Sequence, residues 1–189
     1  MRASARPHAT TIIAVKRDGF TAIGGDGQVT VGDVVMKHRA AKVRRIYKDQ
    51  IVVGFAGAVA DAFTLFDKFE AHLERHQGNL LRGAIGLAKE WRTDKYLRHL
   101  EAMLIAADEN QLLLISGDGE IIEPDDAVVA IGSGGPYAQA AAAALVENTT
   151  LDAEAVARRA LEIAARLCIY TNEHVTVETI GGVPAEVHS

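Results

Sequence analysis

The sequence predicts an α+β layered sandwich, and three observations lead there. Apolar periodicity runs in blocks: strands, two helices, strands, two helices, one last strand. Short turn signals join most strands where a parallel sheet would need helical crossovers. Finally, 189 residues that are 49% hydrophobic and 24% charged can bury a sizeable core. No repeat, low-complexity linker or charge block divides the chain, so residues 10–189 read as one domain.

The pattern opens at Thr10. Thr10 to Val15 is rich in β-branched residues and precedes Asp18-Gly19, a hairpin turn signal; Phe20 to Ile23 is the second arm. It runs into Gly24-Gly25-Asp26-Gly27, where the backbone is free to approach another group closely. Ile51 to Phe55 is almost wholly apolar and reads as a strand buried on both faces. The period then changes to 3.6. Val59, Ala62, Phe63, Phe66, Phe69 and Leu73 form one helical stripe ending by Gly78. Asn79 caps a second helix with Leu81, Ala84, Ile85, Ala88 and Trp91 inward. Strands return at Met103–Ala107, Leu112–Ser116, Glu120–Ile122 and Val128–Ile131. Pro136 suits the first turn of a third helix and Asp152 caps a fourth, with Val156, Ala160, Ile163 and Leu167 aligned. Val175–Ile180 is the closing strand, and Gly181 onward reads as a tail.

Composition excludes several functions. Twenty Lys and Arg against 25 Asp and Glu leave a net charge of −5, so no sequence-wide basic field exists to hold nucleic acid. Cys168 is the single thiol, which forbids an internal disulfide. No apolar run reaches the ~20 residues that span a bilayer, and residues 1–9 lack the apolar stretch of a secretory signal. A cytoplasmic location without membrane contact is expected.

Familiar catalytic motifs are missing. Gly132-Ser133-Gly134-Gly135 lacks the last glycine of a dinucleotide fingerprint, position 137 being Tyr137, and there is no Gly-Lys-Ser/Thr phosphate loop. The chain is thus expected to bind no nucleotide. His72 and His76 have helical i, i+4 spacing but no H-E-x-x-H context, and they read as surface histidines. Ser133 is not in a nucleophile elbow, and Cys168 reads as a buried structural thiol. Thr10 stands where the ordered pattern begins. A threonine hydroxyl needs a base, and a terminal α-amino group, with a pKa of roughly 7.7–8.0, is one. Cleavage between Ala9 and Thr10 would put both groups on one residue and make residues 1–9 a propeptide; an ordinary strand-forming threonine pair is the competing reading.

Further segments decide between them. Thr10-Thr11-Ile12, Gly25-Asp26-Gly27-Gln28, Met36-Lys37, Lys42-Val43-Arg44-Arg45, Gly54-Phe55-Ala56-Gly57, Ala60 to Phe66, Trp91-Arg92-Thr93-Asp94 and Ile131 to Ala138 closely resemble, in order, the HslV (ClpQ) family. Its members are the proteasome-like T1B-type peptidase subunits of bacterial HslUV proteases. The resemblance runs from Thr10 to about Asn172 and implies a four-layer αββα sandwich of the N-terminal nucleophile hydrolase type. It implies Thr10 as nucleophile, Lys42 as the neighbouring cation, Asp26 as the group holding Lys42, the Gly54 amide as oxyanion donor, and Ser133 as the partner of the Thr10 amine. It implies a sodium ion on the main-chain carbonyls of Ala165, Cys168 and Thr171. It also implies a homododecamer of two stacked hexameric rings that degrades unfolded proteins delivered by a hexameric HslU-type AAA+ ATPase, which activates the peptidase allosterically. Nine residues precede Thr10 where many relatives carry only an initiator Met, so maturation requires self-cleavage or another protease.

Overall fold

The computed structural model describes residues 10–31 and 34–182; the expected propeptide, residues 1–9, and residues 183–189 lie outside them. The chain order is β1 (Thr11–Arg17), β2 (Phe20–Gly25), β3 (Val29–Val31), β4 (Val34–Lys37), β5 (Val43–Ile46), β6 (Ile51–Ala56), α1 (Val59–Arg75) and α2 (Leu80–Thr93). It continues with a 3-10 turn (Leu97–His99), β7 (Met103–Ala107), β8 (Leu112–Ser116), β9 (Ile121–Ile122), β10 (Val128–Gly132), α3 (Gly135–Asn148), α4 (Ala153–Leu167) and β11 (Thr176–Gly181).

Two antiparallel sheets carry the architecture, one ordered β10-β1-β2-β11 and the other β5-β6-β7-β8-β9, with β3-β4 a separate hairpin. Side chains alternate across a strand, so each sheet has two apolar faces to cover. In β1, Ile13 and Val15 pack under α3 and α4, beside Val156, Ala160 and Leu161. Ile12 and Ala14 point the other way, into a layer shared with Val52, Ile105 and Ala107 of the second sheet. In β6, Val53 and Phe55 face α1 and α2, meeting Phe66, Phe69, Leu87 and Trp91. The result is helices, sheet, sheet, helices, the four-layer sandwich of the expectation.

The β1–β2 hairpin closes as its sequence predicts. Arg17 pairs with Phe20 across a two-residue loop, and Asp18 and Gly19 both have positive φ, 51° and 80°, the twist that matches the flanking strands. The caps of α2 and α4 also hold: Asn79 Oδ1 accepts from Arg82 N at 2.9 Å and Asp152 Oδ1 from Ala155 N at 2.8 Å.

The helix stripes differ from the expectation at their edges. Phe63 is exposed and carries the Arg44 guanidinium 5.6 Å from its ring centroid; Leu65 takes the inward place. In α2, Leu81 and Ile85 face outward while Leu80, Gly83 and Leu87 face the core. Leu167 is exposed at the end of α4. The side chain of Val59 lies outside what the structure describes. Strands β3, β4 and β5 have no counterpart in the sequence reading, because three or four residues with charged or glycine neighbours show no period.

Candidate active site

Asp26 follows β2, buried in the turn that leaves the first sheet. Its Oδ1 accepts from Thr11 N at 2.8 Å and from Lys42 Nζ at 2.9 Å. Its Oδ2 accepts from Gln28 N at 2.9 Å and, more loosely, from Asn172 N at 3.4 Å. One carboxylate oxygen thereby joins Lys42 to the amide next to Thr10. Burial pushes the Lys42 ammonium below its ordinary pKa, and the Asp26 charge and hydrogen bond pull it part of the way back. Lys42 comes within reach because it enters β5: Phe55 N donates to Lys42 O at 3.0 Å, and the register pairs Val43 with Gly54.

Thr10 immediately precedes β1 and lines a cavity of about 770 Å³ together with Ser133, Gly57, Met103 and Ser116. Ser133 N donates to Thr10 O at 2.8 Å. The approach depends on Gly132, whose φ is +88° and whose Cβ, were it present, would stand 2.1 Å from Thr10 O.

Gly54 does not reach this cavity, which corrects its assignment as oxyanion donor. Amides alternate in direction along a strand, and Phe55 N points to β5, so Gly54 N points to β7, where Gly54 faces Ile105. A Cβ on Gly54 would stand 2.5 Å from Ile12 Cγ2; its lack of a side chain serves the contact between the sheets. Of the two glycines in this motif, the one on the cavity wall is Gly57, three residues on, in the loop leading to α1; Gly117 and Gly132 line the cavity from other segments. The signal for it was present in Gly54-Phe55-Ala56-Gly57, which contains both glycines.

The segment after α4 closes on the same node. Thr171 and Thr11 hydroxyls are 2.6 Å apart, both buried, beneath Gly134, whose missing Cβ leaves room for them. Gln28 Nε2 donates to Ile169 O at 2.9 Å. Cys168, the C-cap of α4, has a buried thiol, and its carbonyl accepts from Thr171 N at 3.1 Å. Ala165 sits in the last helical turn, where carbonyls have no intrahelical donor and carry the negative end of the dipole. This chemistry, neutral hard oxygen donors at a helix C-terminus, suits a hard cation of low charge. Asn172, which sequence reasoning did not single out, bonds to both Gly27 and His38.

Other candidates fall elsewhere. His72 is buried rather than on the surface: it packs against Gly86, and its Nε2 lies 2.7 Å from Glu90 Oε2, on a carboxylate that also binds Lys68. Among the described residues no three His, Cys, Asp or Glu side chains converge to hold a metal, and no helix is long and apolar enough to cross a membrane.

Comparison with known proteins fits this geometry. The family model for proteasome subunits matches residues 7–180. The ATP-dependent protease subunit HslV of Desulfovibrio desulfuricans is 58% identical over 174 residues, 92% of this chain and 98% of that one. The crystal structure of eukaryotic HslV from Trypanosoma brucei superposes with a TM-score of 0.86 at 45% identity, covering 91% of this chain and 99% of that one. Thiobacillus denitrificans BPH, at 22% identity, a TM-score of 0.72 and coverage of 92% and 100%, shares the fold. With a hairpin that starts at Thr10, a buried Asp26–Lys42 pair beside it and a four-layer sandwich around both, the chain belongs to the proteasome subunit family, among its HslV-type members.

Proposed function

We propose that the chain is the threonine endopeptidase subunit of an ATP-dependent protease, working through Thr10 once the Ala9–Thr10 bond has been hydrolysed. The observation that carries the reading is the shared Asp26 Oδ1, which ties Lys42 to the Thr11 amide and so fixes an ammonium beside residue 10. In the mature chain the Thr10 amine takes the proton of its own hydroxyl. Lys42 disfavours the protonated amine and stabilises the alkoxide as it forms. The Thr10 oxygen attacks the peptide carbonyl, the amine passes its proton to the leaving nitrogen, and water then cleaves the resulting ester, regenerating Thr10. Ser133 flanks Thr10 on the cavity wall and serves as the amine's hydrogen-bonding partner in proton transfer. Gly57, on the same wall, supplies the oxyanion donor in place of Gly54.

A sodium ion on the carbonyls of Ala165, Cys168 and Thr171 would brace the turn that presents Thr171 and Asn172. It takes no part in bond making. The name of the Desulfovibrio relative, an ATP-dependent protease subunit, supports an ATPase partner; that this partner is of the HslU type and feeds unfolded chains, that two stacked hexameric rings enclose the sites, and that the location is cytoplasmic are what the resemblance to the HslV family implies. N-terminal sequencing of purified, active protein tests the core of the reading. A free Thr10 is expected; activity with Ala9 still attached would leave the hydroxyl without its base and overturn it.

A further inference from the structure

Asn172 crosslinks the two segments that carry the catalytic ion pair. Its Oδ1 accepts from Gly27 N at 3.1 Å, one residue from Asp26, and from His174 N at 3.2 Å. Its Nδ2 donates to His38 O at 2.9 Å, on the strand exit that leads to Lys42. The amide orientation is fixed by these partners: two N–H donors meet the oxygen and a carbonyl meets the nitrogen, so the reversed amide would have no bond to make. The Asn172 main-chain amide also approaches Asp26 Oδ2. The crosslinked segments pass so closely that a Cβ on Gly27 would stand 2.4 Å from His38 O. A main-chain bond between the same two segments runs alongside, from Ala40 N to Gly27 O at 2.9 Å.

We infer that Asn172 is a positioning residue for peptide hydrolysis: its side chain holds the Asp26 turn against the His38–Ala40 segment and so sets where the Lys42 ammonium stands relative to Thr10. The inference rests on the catalytic reading of Asp26 and Lys42 given above. A displaced ammonium acts less on the Thr10 amine, whose pKa then rises. Loss of the crosslink therefore moves the acid limb of the pH–rate profile to higher pH and lowers kcat, with little effect on KM. The titratable groups near the turn, His38, Arg39, Glu173 and His174, and those that line the cavity with Thr10, Arg98, His99, Glu101 and Asp118, are the same in every variant below.

The test uses the mature full-length chain with its ATPase partner, ATP and a fluorogenic peptide. Asn172→Ala removes all three side-chain bonds. Asn172→Ser keeps a hydroxyl able to close the local turn to His174 N but too short to span Gly27 and His38. Both are expected to lose about tenfold in kcat, on the scale of a sub-ångström misplacement, with KM within about twofold and the acid limb moved upward. Recovery of wild-type kcat and profile in Asn172→Ser would show that the side chain serves only its local turn and would overturn the inference, even if Asn172→Ala failed to fold. Lys42→Met separates the two levels. If it is inactive while both Asn172 variants behave as wild type, the positioning role alone falls; if it retains activity, the catalytic reading falls and the positioning role with it.

Discussion

Asp26 and Lys42 meet at 2.9 Å with 0% and 4% of their side chains exposed. Their environments are unequal. Asp26 also accepts from the amides of Thr11, Gln28 and Asn172, whereas desolvation is the largest influence on Lys42. Removing the lysine leaves the carboxylate with its amide donors; removing the carboxylate takes the anionic partner from a buried ammonium and the acceptor from three amides. Asp26→Ala should thus cost about 3–5 kcal/mol, and Lys42→Met about 1–3 kcal/mol. Urea unfolding of the two variants measures this, and both should lose peptidase activity. Equal losses of stability would contradict the asymmetry.

The same pair gives a pH dependence. The folded value for Lys42 lies below its ordinary 10.5, so between the two the unfolded chain binds more protons than the folded one. Stability contributed at this site then rises with pH across that window. The gap in unfolding free energy between wild type and Lys42→Met should shift in favour of wild type as the pH climbs toward 10.5. A gap that shifts the other way would mean that Asp26 outweighs burial.

Thr10 is tested by truncating its hydroxyl. Thr10→Ala keeps an amine if maturation still occurs but has no attacking oxygen. Hydrolysis of a fluorogenic peptide should fall by at least about 10³-fold, since a nucleophile cannot be replaced by binding and electrostatics. Circular dichroism should be unchanged, because the β1 hairpin and Ser133 N to Thr10 O bond use only main chain here. Substantial residual turnover would place the nucleophile elsewhere.

The misassigned glycine yields a separation of stability from catalysis. In Gly54→Ala the new methyl meets Ile12 Cγ2 at 2.5 Å and Ile23 Cγ2 at 3.1 Å, both deep between the sheets. Overpacking there should cost about 1–3 kcal/mol while kcat per folded molecule stays near wild type. A folded variant with wild-type stability and no activity would place residue 54 against the reacting substrate and overturn this separation.

How much of this was legible depended on the length of the signal. The β1–β2 hairpin, the helix caps at Asn79 and Asp152 and the buried β6 were readable because each rests on local chemistry or on a run of five or more residues. Phe63, Leu81 and Ile85 were misplaced because apolar residues at the edge of a helical stripe are separated from the core by one step of rotation, which the facing sheet decides. Thr10 was readable as a hydroxyl at the start of order, but Asp26 and Lys42 are 16 positions apart, and only the fold brings them into one hydrogen bond. Gly54 and Gly57 lie in the same short motif. Strand direction, set by pairing with β5 and β7, tells them apart.

His72 shows what partly buried polar contacts between helices do for stability in acid. Glu90 on α2 binds Lys68 through one oxygen and His72 through the other, both from α1. The Lys68 hydrogen bond is the main reason the Glu90 carboxyl lies below its ordinary value of 4.5; burial opposes it and His72 assists. A carboxylate whose folded pKa is lowered contributes stability that is complete above the unfolded value and is lost as the pH falls through the folded one. Wild type should therefore lose stability below pH 4.5 faster than Glu90→Gln, which cannot titrate but keeps a side chain of the same shape. Urea midpoints measured from pH 6 down to pH 3 give the comparison. The two curves should converge as Glu90 takes up its proton, and parallel curves would show that the carboxylate makes no net contribution to joining α1 to α2.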